Sequence, residues 1–176
     1  MAGVSTESLS KVEAVLEANA SLNPLNLASE LFAVVDVLDH DGGLRRGLTD
    51  SSREGKDREN IAQAIFSGKI SSQALKVLTT AVALRWSQER DLADALEKAA
   101  VLASIASAES RGGADALEEV TNELLTFVRN VDGTPEAQAA LSDNLASKEA
   151  KKKLAVALGG PAVTAEGVLL LERIGS

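Results

Sequence analysis

Cysteine and tyrosine are absent from this 176-residue chain, which holds one Trp, three Phe, one His, one Met and three Pro. Without cysteine there is no disulfide, no cysteine nucleophile and no thiolate metal site, a composition that fits a reducing compartment. With only Phe32, Phe66, Trp86 and Phe127 as aromatics, a nucleic-acid surface has no obvious stacking platform. No apolar run is long enough to span a bilayer, and the start shows no basic segment followed by an apolar signal core. A soluble, intracellular protein without its own membrane span is the expectation. Basic charge is also scarce, with 18 Lys and Arg against 26 Asp and Glu and a formal charge of -8. That balance opposes nonspecific attraction to DNA, RNA or anionic lipid. The acidity is uneven: through Arg90 there are 10 basic and 12 acidic residues, and beyond it 8 and 14.

What the chain does have is apolar material, 45% of its residues, supplied mostly by Ala, Leu and Val. It recurs at helical spacing. Leu9, Val12 and Leu16 share a face of a first helix, interrupted by Asn23-Pro24. Leu27, Leu31, Val34, Val35 and Leu38 form a broad stripe over about 25 to 40, of the width bundle packing needs. A short helix carries Leu44 and Leu48, and another carries Ile61, Ala64, Ile65 and Phe66 up to Ser67-Gly68. Ser71 or Ser72 caps the next, in which Leu75, Leu78, Val82 and Trp86 share a face and Trp86 reads as a core anchor. From Asp91 a long helix carries Leu92, Ala95, Leu96, Ala99, Leu102, Ala103 and Ala106 and stops at Gly112-Gly113. Leu117, Val120, Leu124, Phe127, Val128 and Val131 specify one more. Thr134-Pro135, Ser147 and Thr164 then open three further helices, Pro135 standing where its missing N–H costs nothing.

A repeat organises these helices. Glu30-Leu-Phe-Ala-Val-Val35 lines up with Glu123-Leu-Leu-Thr-Phe-Val128, and Leu48-Thr-Asp50 aligns with Leu141-Ser-Asp143 at the same separation. Ser67-Gly-Lys-Ile-Ser71 resembles Gly159-Gly-Pro-Ala-Val-Thr164 after a one-residue adjustment. An interval held through several helices points to duplication of a multihelix unit rather than to a short solenoid repeat. The expected fold is therefore all-α, two antiparallel helical-bundle modules, the first over 1–90 and a partial second over 91–176, the second lacking a full counterpart of the Leu75-to-Trp86 helix.

The residues carrying this pattern resemble a known family. Glu30-Leu-Phe-Ala-Val-Val-Asp-Val-Leu-Asp39, Leu44-Arg-Arg-Gly-Leu-Thr-Asp50, Gly68-Lys-Ile-Ser71, Ala83-Leu-Arg-Trp-Ser87 and Arg90-Asp-Leu-Ala-Asp-Ala-Leu-Glu97 are similar to the delta subunit of bacterial ATP synthase, the oligomycin-sensitivity-conferring protein of mitochondria. The likeness is densest with the actinobacterial form and continues through Glu123 to Glu136 and Leu141 to Asp143, covering about 25 to 172. It implies a helical amino-terminal domain that binds amino-terminal helices of the alpha subunits, followed by a region joining the peripheral-stalk b subunit. That is a non-catalytic stator on the cytoplasmic side of the cell membrane, held there through the complex. In the actinobacterial form the resemblance implies a duplicated amino-terminal module, sometimes joined to a membrane-spanning stalk segment. Against that pattern the chain shows no such segment and stops short of a complete second module and of the usual carboxy-terminal domain.

A stator adaptor needs a stable bundle and an apolar groove for a partner helix, with polar surroundings that set register. Leu92, Leu96, Ala99 and Ala103 are the candidate partner-docking stripe, because the family docks helices on the outer helices of its bundle; core packing is the competing reading of the same spacing. Leu9, Val12 and Leu16 are weaker candidates, as are Arg45 and Arg46, whose adjacency keeps both from one buried face. Lys151-Lys152-Lys153 lacks the interleaved aromatics of a nucleic-acid site. His40, among Asp36, Asp39 and Asp41, sits where a helix end needs polar groups rather than where a second metal ligand is at hand. Neither Ser67-Gly68 nor Gly159-Gly160 carries a phosphate-loop pattern, and there is no nucleophile elbow. No catalytic, cofactor or metal residue is assigned. The bundle physics alone also suits an unrelated cytoplasmic helical adaptor.

Overall fold

The computed structural model describes Met1 and residues 3–176. The described residues form nine helices: α1 (Val4–Asn19), α2 (Pro24–His40), α3 (Gly42–Thr49), α4 (Gly55–Phe66), α5 (Ser72–Ala83), α6 (Glu89–Asp132), α7 (Pro135–Ser142), α8 (Lys148–Leu158) and α9 (Ala165–Ile174). They divide into two compact units, unit 1 over Met1–Ala106 and unit 2 over Ser107–Ser176. This division falls beyond the repeat boundary expected between Arg90 and Asp91. The reason is the apolar face of α6 over 89–106. That face is sealed in unit 1, so a helix expected to open the second module completes the first bundle instead.

In unit 1, α5 is the hub, packed against α1, α2 and α4, while α3 bridges α2 and α4. The expected stripes supply the core: Val12, Leu16, Leu27, Leu31, Val34, Leu38, Leu48, Leu78 and Val82 are all fully buried. Each such Leu or Val contributes about 1.5–3 kcal/mol of transfer free energy. α2 is buried on two adjacent stripes, because Ala28, Phe32 and Val35 are sealed along with Leu27, Leu31, Val34 and Leu38.

Helix ends follow the expected side chains in most places. Ser71, Ser147 and Thr164 accept from the backbone N–H of Ala74, Ala150 and Gly167 respectively, three residues on. Asp41 does the same for Leu44. Thr134 stands at the N-cap with Pro135 behind it, yet its side chain makes no capping bond. The break in α6 is where the glycines put it, with Gly113 at φ 61° in a conformation that L side chains rarely adopt.

One element is shorter than its periodicity implies. Trp86 was expected on the α5 face, but α5 ends at Ala83 and Leu84 is extended. Side chains capture the last carbonyls: Trp86 Nε1 donates to Ala81 at 2.9 Å, and buried Arg58 donates from Nε to Val82 at 2.6 Å and from its second terminal nitrogen to Ala83 at 3.1 Å. Arg58 also donates to the carbonyls of Asp50 and Arg53, so one guanidinium joins the end of α5 to the turn after α3. This satisfies helix-end acceptors that would otherwise be buried without partners.

Unit 2 is smaller. α8 packs on α7 and α9. Its core is Phe127, Ala155 and Leu171, with Leu124, Val131, Leu141, Val156, Leu158 and Val163 partly buried around them.

Candidate docking site

The stripe expected to receive a partner lies inside unit 1. Leu92, Leu96 and Ala103 are 0% exposed and Ala99 is 1%. Their spacing, read as a docking groove, is the spacing of a core face: the small alanines let α6 approach its neighbours closely, and docking at these atoms requires the bundle to open. Val12 and Leu16 of the α1 stripe are likewise sealed. Leu9 is only partly buried.

The start of α1 is fastened by a polar cluster. Ser5 Oγ donates to Asp91 Oδ2 at 2.6 Å and accepts from the Ser87 N–H at 2.7 Å. Ser8 Oγ donates to the Arg85 carbonyl at 2.6 Å, and Asp91 also accepts from the Gln88 N–H at 3.2 Å. Asp91 thus closes the first turn of α6 in the manner of a capping box, its carboxylate reaching back to a free N–H. Lys98 Nζ reaches Glu13 at 2.9 Å farther along. These bonds hold α1 against the connection between α5 and α6.

Arg45 and Arg46, adjacent in sequence, have separate roles. Arg45 Nε donates to Glu89 Oε1 at 2.6 Å, and one terminal nitrogen donates to the Leu38 carbonyl at 2.8 Å. It ties α3 to the start of α6. Arg46 is exposed and lines a shallow depression of about 660 Å³ with Gly47, Asp50, Arg53, Trp86 and Glu89. Asp50 in this wall has its carboxyl held below the usual carboxylate range, chiefly by the hydroxyl and N–H of Ser52. A second depression, about 510 Å³, is lined by Asp39, Arg45, Glu89, Arg90 and Ala93 and puts the start of α6 beside the end of α2. One residue on from Ala93, burial raises the Asp94 carboxyl against an opposing pull from Arg90. Both depressions are polar, suited to charged groups on another protein rather than to an apolar small molecule.

The residues that recur between the units are not the ones spacing singled out as sites. In unit 1 the Ser71 N–H donates to Glu30 Oε2 at 2.6 Å, so the N-cap of α5 is held from α2. In unit 2 the Thr164 N–H donates to Glu123 Oε1 at 2.5 Å, and Thr164 Oγ1 donates to Oε2 at 2.8 Å, so α9 is held from α6. After α3, Asp50 accepts from the Ser52 N–H at 2.9 Å; after α7, Asp143 accepts from the Leu145 N–H at 2.8 Å. Glu30, Glu123, Asp50 and Asp143 were all inside the aligned segments, so the repeat marked them without revealing their partners. Unit 2 adds an ion pair that no spacing signalled, between buried Glu166 and exposed Arg111. Glu166, 2% exposed, accepts from Arg111 Nε at 3.0 Å and a terminal nitrogen at 2.7 Å, and from Ser107 Oγ at 3.2 Å. That bond raises the Arg111 guanidinium pKa further above its already high value.

His40 Nδ1 lies 2.7 Å from the Asp36 carbonyl in the last turn of α2, the end position expected of it. Among the described residues no cluster of His, Asp or Glu is placed to hold a metal ion, and no helix is long and apolar enough to cross a membrane.

No protein-family model matches the chain. Individual relatives do. It is 45% identical over 159 residues to ATP synthase subunit delta of Renibacterium salmoninarum, an alignment covering 90% of this chain and 59% of that protein. It is 42% identical over 176 residues to ATP synthase subunit delta of Pseudarthrobacter chlorophenolicus, covering 97% and 64%. To ATP synthase subunit delta of Thermobifida fusca it is 39% identical over 176 residues, covering 99% and 64%. The chain thus spans about three fifths of the length of the curated relatives it matches.

Proposed function

Because the chain belongs to the ATP synthase delta-subunit family, we propose that it is a non-catalytic stator element of a proton-translocating ATP synthase, linking the catalytic head to the peripheral stalk. The observation that carries this is identity of about 40% with actinobacterial delta subunits along nearly the whole chain. The fold is in keeping with it. Unit 1 is a bundle closed on a leucine and alanine core and fastened across its ends by Arg58, Asp91 and Arg45, a body that transmits load without large rearrangement. Its partners are the amino-terminal helices of the alpha subunits and, in the whole protein, the stalk b subunit. Its place is peripheral, on the cytoplasmic side of the cell membrane. With the Leu92-to-Ala103 stripe sealed, docking on unit 1 falls to the surface, with Leu9 and Arg46 the candidates that keep side chain exposed.

We infer further that the two modules are copies, the repeat running over 1–90 and 91–176 while residues 89–106 of α6 serve the first bundle. The matched bonds of Glu30 with Ser71 and Glu123 with Thr164, at one interval along the chain, support this reading.

The test is reconstitution. The purified chain is mixed with alpha and b subunits and the complexes are separated by size, while calorimetry measures binding of an alpha amino-terminal peptide. The stator reading expects a stoichiometric complex with alpha that Arg46→Glu or Leu9→Asp weakens. A folded chain that binds neither alpha nor its peptide removes the reading.

A further inference from the structure

Several arginines of unit 1 gather around α3. Arg45, Arg46, Arg53 and Arg90 stand in the walls of the two polar depressions, which share Glu89. Three of them have a carboxylate beside them: Arg45 meets Glu89 at 2.6 Å, Arg53 meets Asp50 at 3.5 Å and Arg90 meets Asp94 at 3.5 Å. Among the described residues no ion pair engages Arg46, which is exposed.

Arg46 is also held close to a second cation. A methyl carbon added at Gly42 would lie 3.1 Å from a terminal nitrogen of Arg46 and 3.5 Å from one of Arg45, so the two guanidinium groups converge on the first residue of α3. Like charges at such range repel, and Glu89 neutralises only Arg45. The nearby acids are engaged elsewhere. Asp41 Oδ1 accepts the Leu44 N–H in capping α3, Asp50 Oδ1 accepts from the Ser52 N–H and hydroxyl while its other oxygen faces Arg53, and Asp39 lies in the neighbouring depression with Arg45 and Arg90.

Beside Arg46 the wall carries an aromatic ring. Trp86 is half-buried and its indole N–H is spent on the Ala81 carbonyl at 2.9 Å, so what it offers the depression is apolar ring surface. Gly43 and Gly47 line the same depression without side chains, and a methyl carbon at Gly47 would meet nothing within 4 Å. The space of about 660 Å³ is thus open between an unpaired guanidinium and an aromatic face. Arg and Trp are the side chains that most often carry the energy of a protein contact, and a guanidinium matches a carboxylate in geometry as well as in charge.

We propose that this depression is a docking site for an acidic segment of a partner protein, a Glu or Asp of which pairs with Arg46 while a neighbouring apolar side chain packs on Trp86. The walls oppose an extended polyanion. Asp50 and Glu89 stand in them and the chain carries a formal charge of -8, which repels nucleic acid and anionic lipid, whereas a single carboxylate needs only the one unpaired guanidinium. The inference goes beyond the stator reading and does not depend on it, since it names a surface and a ligand chemistry whatever complex supplies the segment.

The chain has one Trp and no Tyr, so indole fluorescence reports on this depression alone. The probe is an acetylated, amidated, alanine-rich helical peptide carrying Glu and Leu one helical turn apart; the same peptide with Lys for each Glu is the charge control. Each is titrated into the full chain while Trp86 fluorescence and the indole N–H resonance are followed. The Glu peptide is expected to change both signals saturably and to bind at least about tenfold more tightly than the Lys peptide. Arg46→Gln is expected to weaken it at least about tenfold with the circular dichroism unchanged, and Arg129→Gln, at an exposed position of unit 2, to bind as the parent chain does. Unchanged Trp86 signals, equal affinity for Arg46→Gln, or equal affinity of the two peptides overturns the proposal. Inorganic phosphate or phosphatidylglycerol vesicles moving the same signals as readily as the Glu peptide would also overturn it, by reducing the site to one for free anions or for lipid. These titrations use neither alpha nor b, so their failure leaves the stator reading standing, and a failed reconstitution leaves this site standing.

Discussion

Unit 1 buries both apolar stripes of α2, while unit 2 buries Val120 and Phe127 on one stripe of the matching part of α6, covers Leu124 and Val131 in part, and leaves Leu125 and Val128 at the surface. Yet both hold the third helix after that segment in the same way, a glutamate gripping the N-cap backbone of α5 or of α9. Local capping chemistry is thus repeated where the amount of enclosed core is not. A bundle's hydrogen-bonded joints depend on nearby residues, whereas sealing a helix on two sides needs a second helix from elsewhere. Glu123 accepts two bonds where Glu30 accepts one from Ser71, and Gly167 stands where a methyl group would collide with the Glu123 carboxylate.

The largest effect that sharpens this contrast comes from one charge placed in each unit. Leu96→Asp strands a carboxylate in the sealed core of unit 1 and is expected to cost about 4 kcal/mol or more, unfolding that unit in urea titrations. Val128→Asp, on the open stripe, is expected to stay within about 0.5 kcal/mol in the same titration. Comparable losses at the two positions would break the distinction between covered and open stripes.

Next in size is Arg58→Met. It removes a guanidinium whose donors satisfy carbonyls at the end of α5 and in the turn after α3, and about 2–4 kcal/mol of unit 1 stability should go with it. Hydrogen exchange would localise the loss: faster exchange confined to α4 and α5 is expected, and protection unchanged at both would mean the carbonyls find other donors.

Smaller again are the paired caps. Glu30→Ala and Glu123→Ala should each destabilise their own unit by about 1–3 kcal/mol, with Glu123→Ala the larger because its carboxylate is buried and takes both its bonds from Thr164, whereas one of Glu30's two comes from exposed Asn26 on its own helix. Chemical denaturation read through unit-specific probes measures both, and the reverse order would mean the second joint is not the stronger. Gly167→Ala should mimic Glu123→Ala, since the added carbon displaces the same carboxylate.

Last comes a pH effect. Burial raises the Asp94 carboxyl, so the folded state binds its proton more tightly than the unfolded chain does. Its contribution to stability is present below the ordinary carboxylate range and is lost as pH rises through the raised folded value. Asp94→Asn is therefore expected to raise the melting temperature slightly at pH 7 and to leave it unchanged in acid. A gain that grows on acidification would reverse the sign.

Much of the helical order was legible because apolar spacing and capping residues are local. The α2 stripe, the Ser71, Ser147 and Thr164 caps and the Gly112-Gly113 break depend on residues within a few turns of one another. Trp86 was misplaced on α5 because its periodicity continues past Ala83, while the captured carbonyls that end the helix depend on Arg58 from another element. The same limit governs the sites. Leu92, Leu96, Ala99 and Ala103 have one spacing whether they face a partner or a core, and only packing distinguishes the two. Arg45 and Arg46 are neighbours in sequence, yet one is tied to Glu89 and the other is exposed.

By itself, then, the sequence determined the all-helical class, most helix starts and stops, the repeat of Glu30 and Asp50 at Glu123 and Asp143, and the family likeness, because each rests on residue type at a fixed interval. Tertiary structure alone decided that residues 89–106 close unit 1, that Arg58 ends α5, that Glu166 is buried against Arg111, and that Leu125 and Val128 stay uncovered. Periodicity gives a helix an apolar face; what covers that face depends on a second helix, and its position is a property of the packed chain.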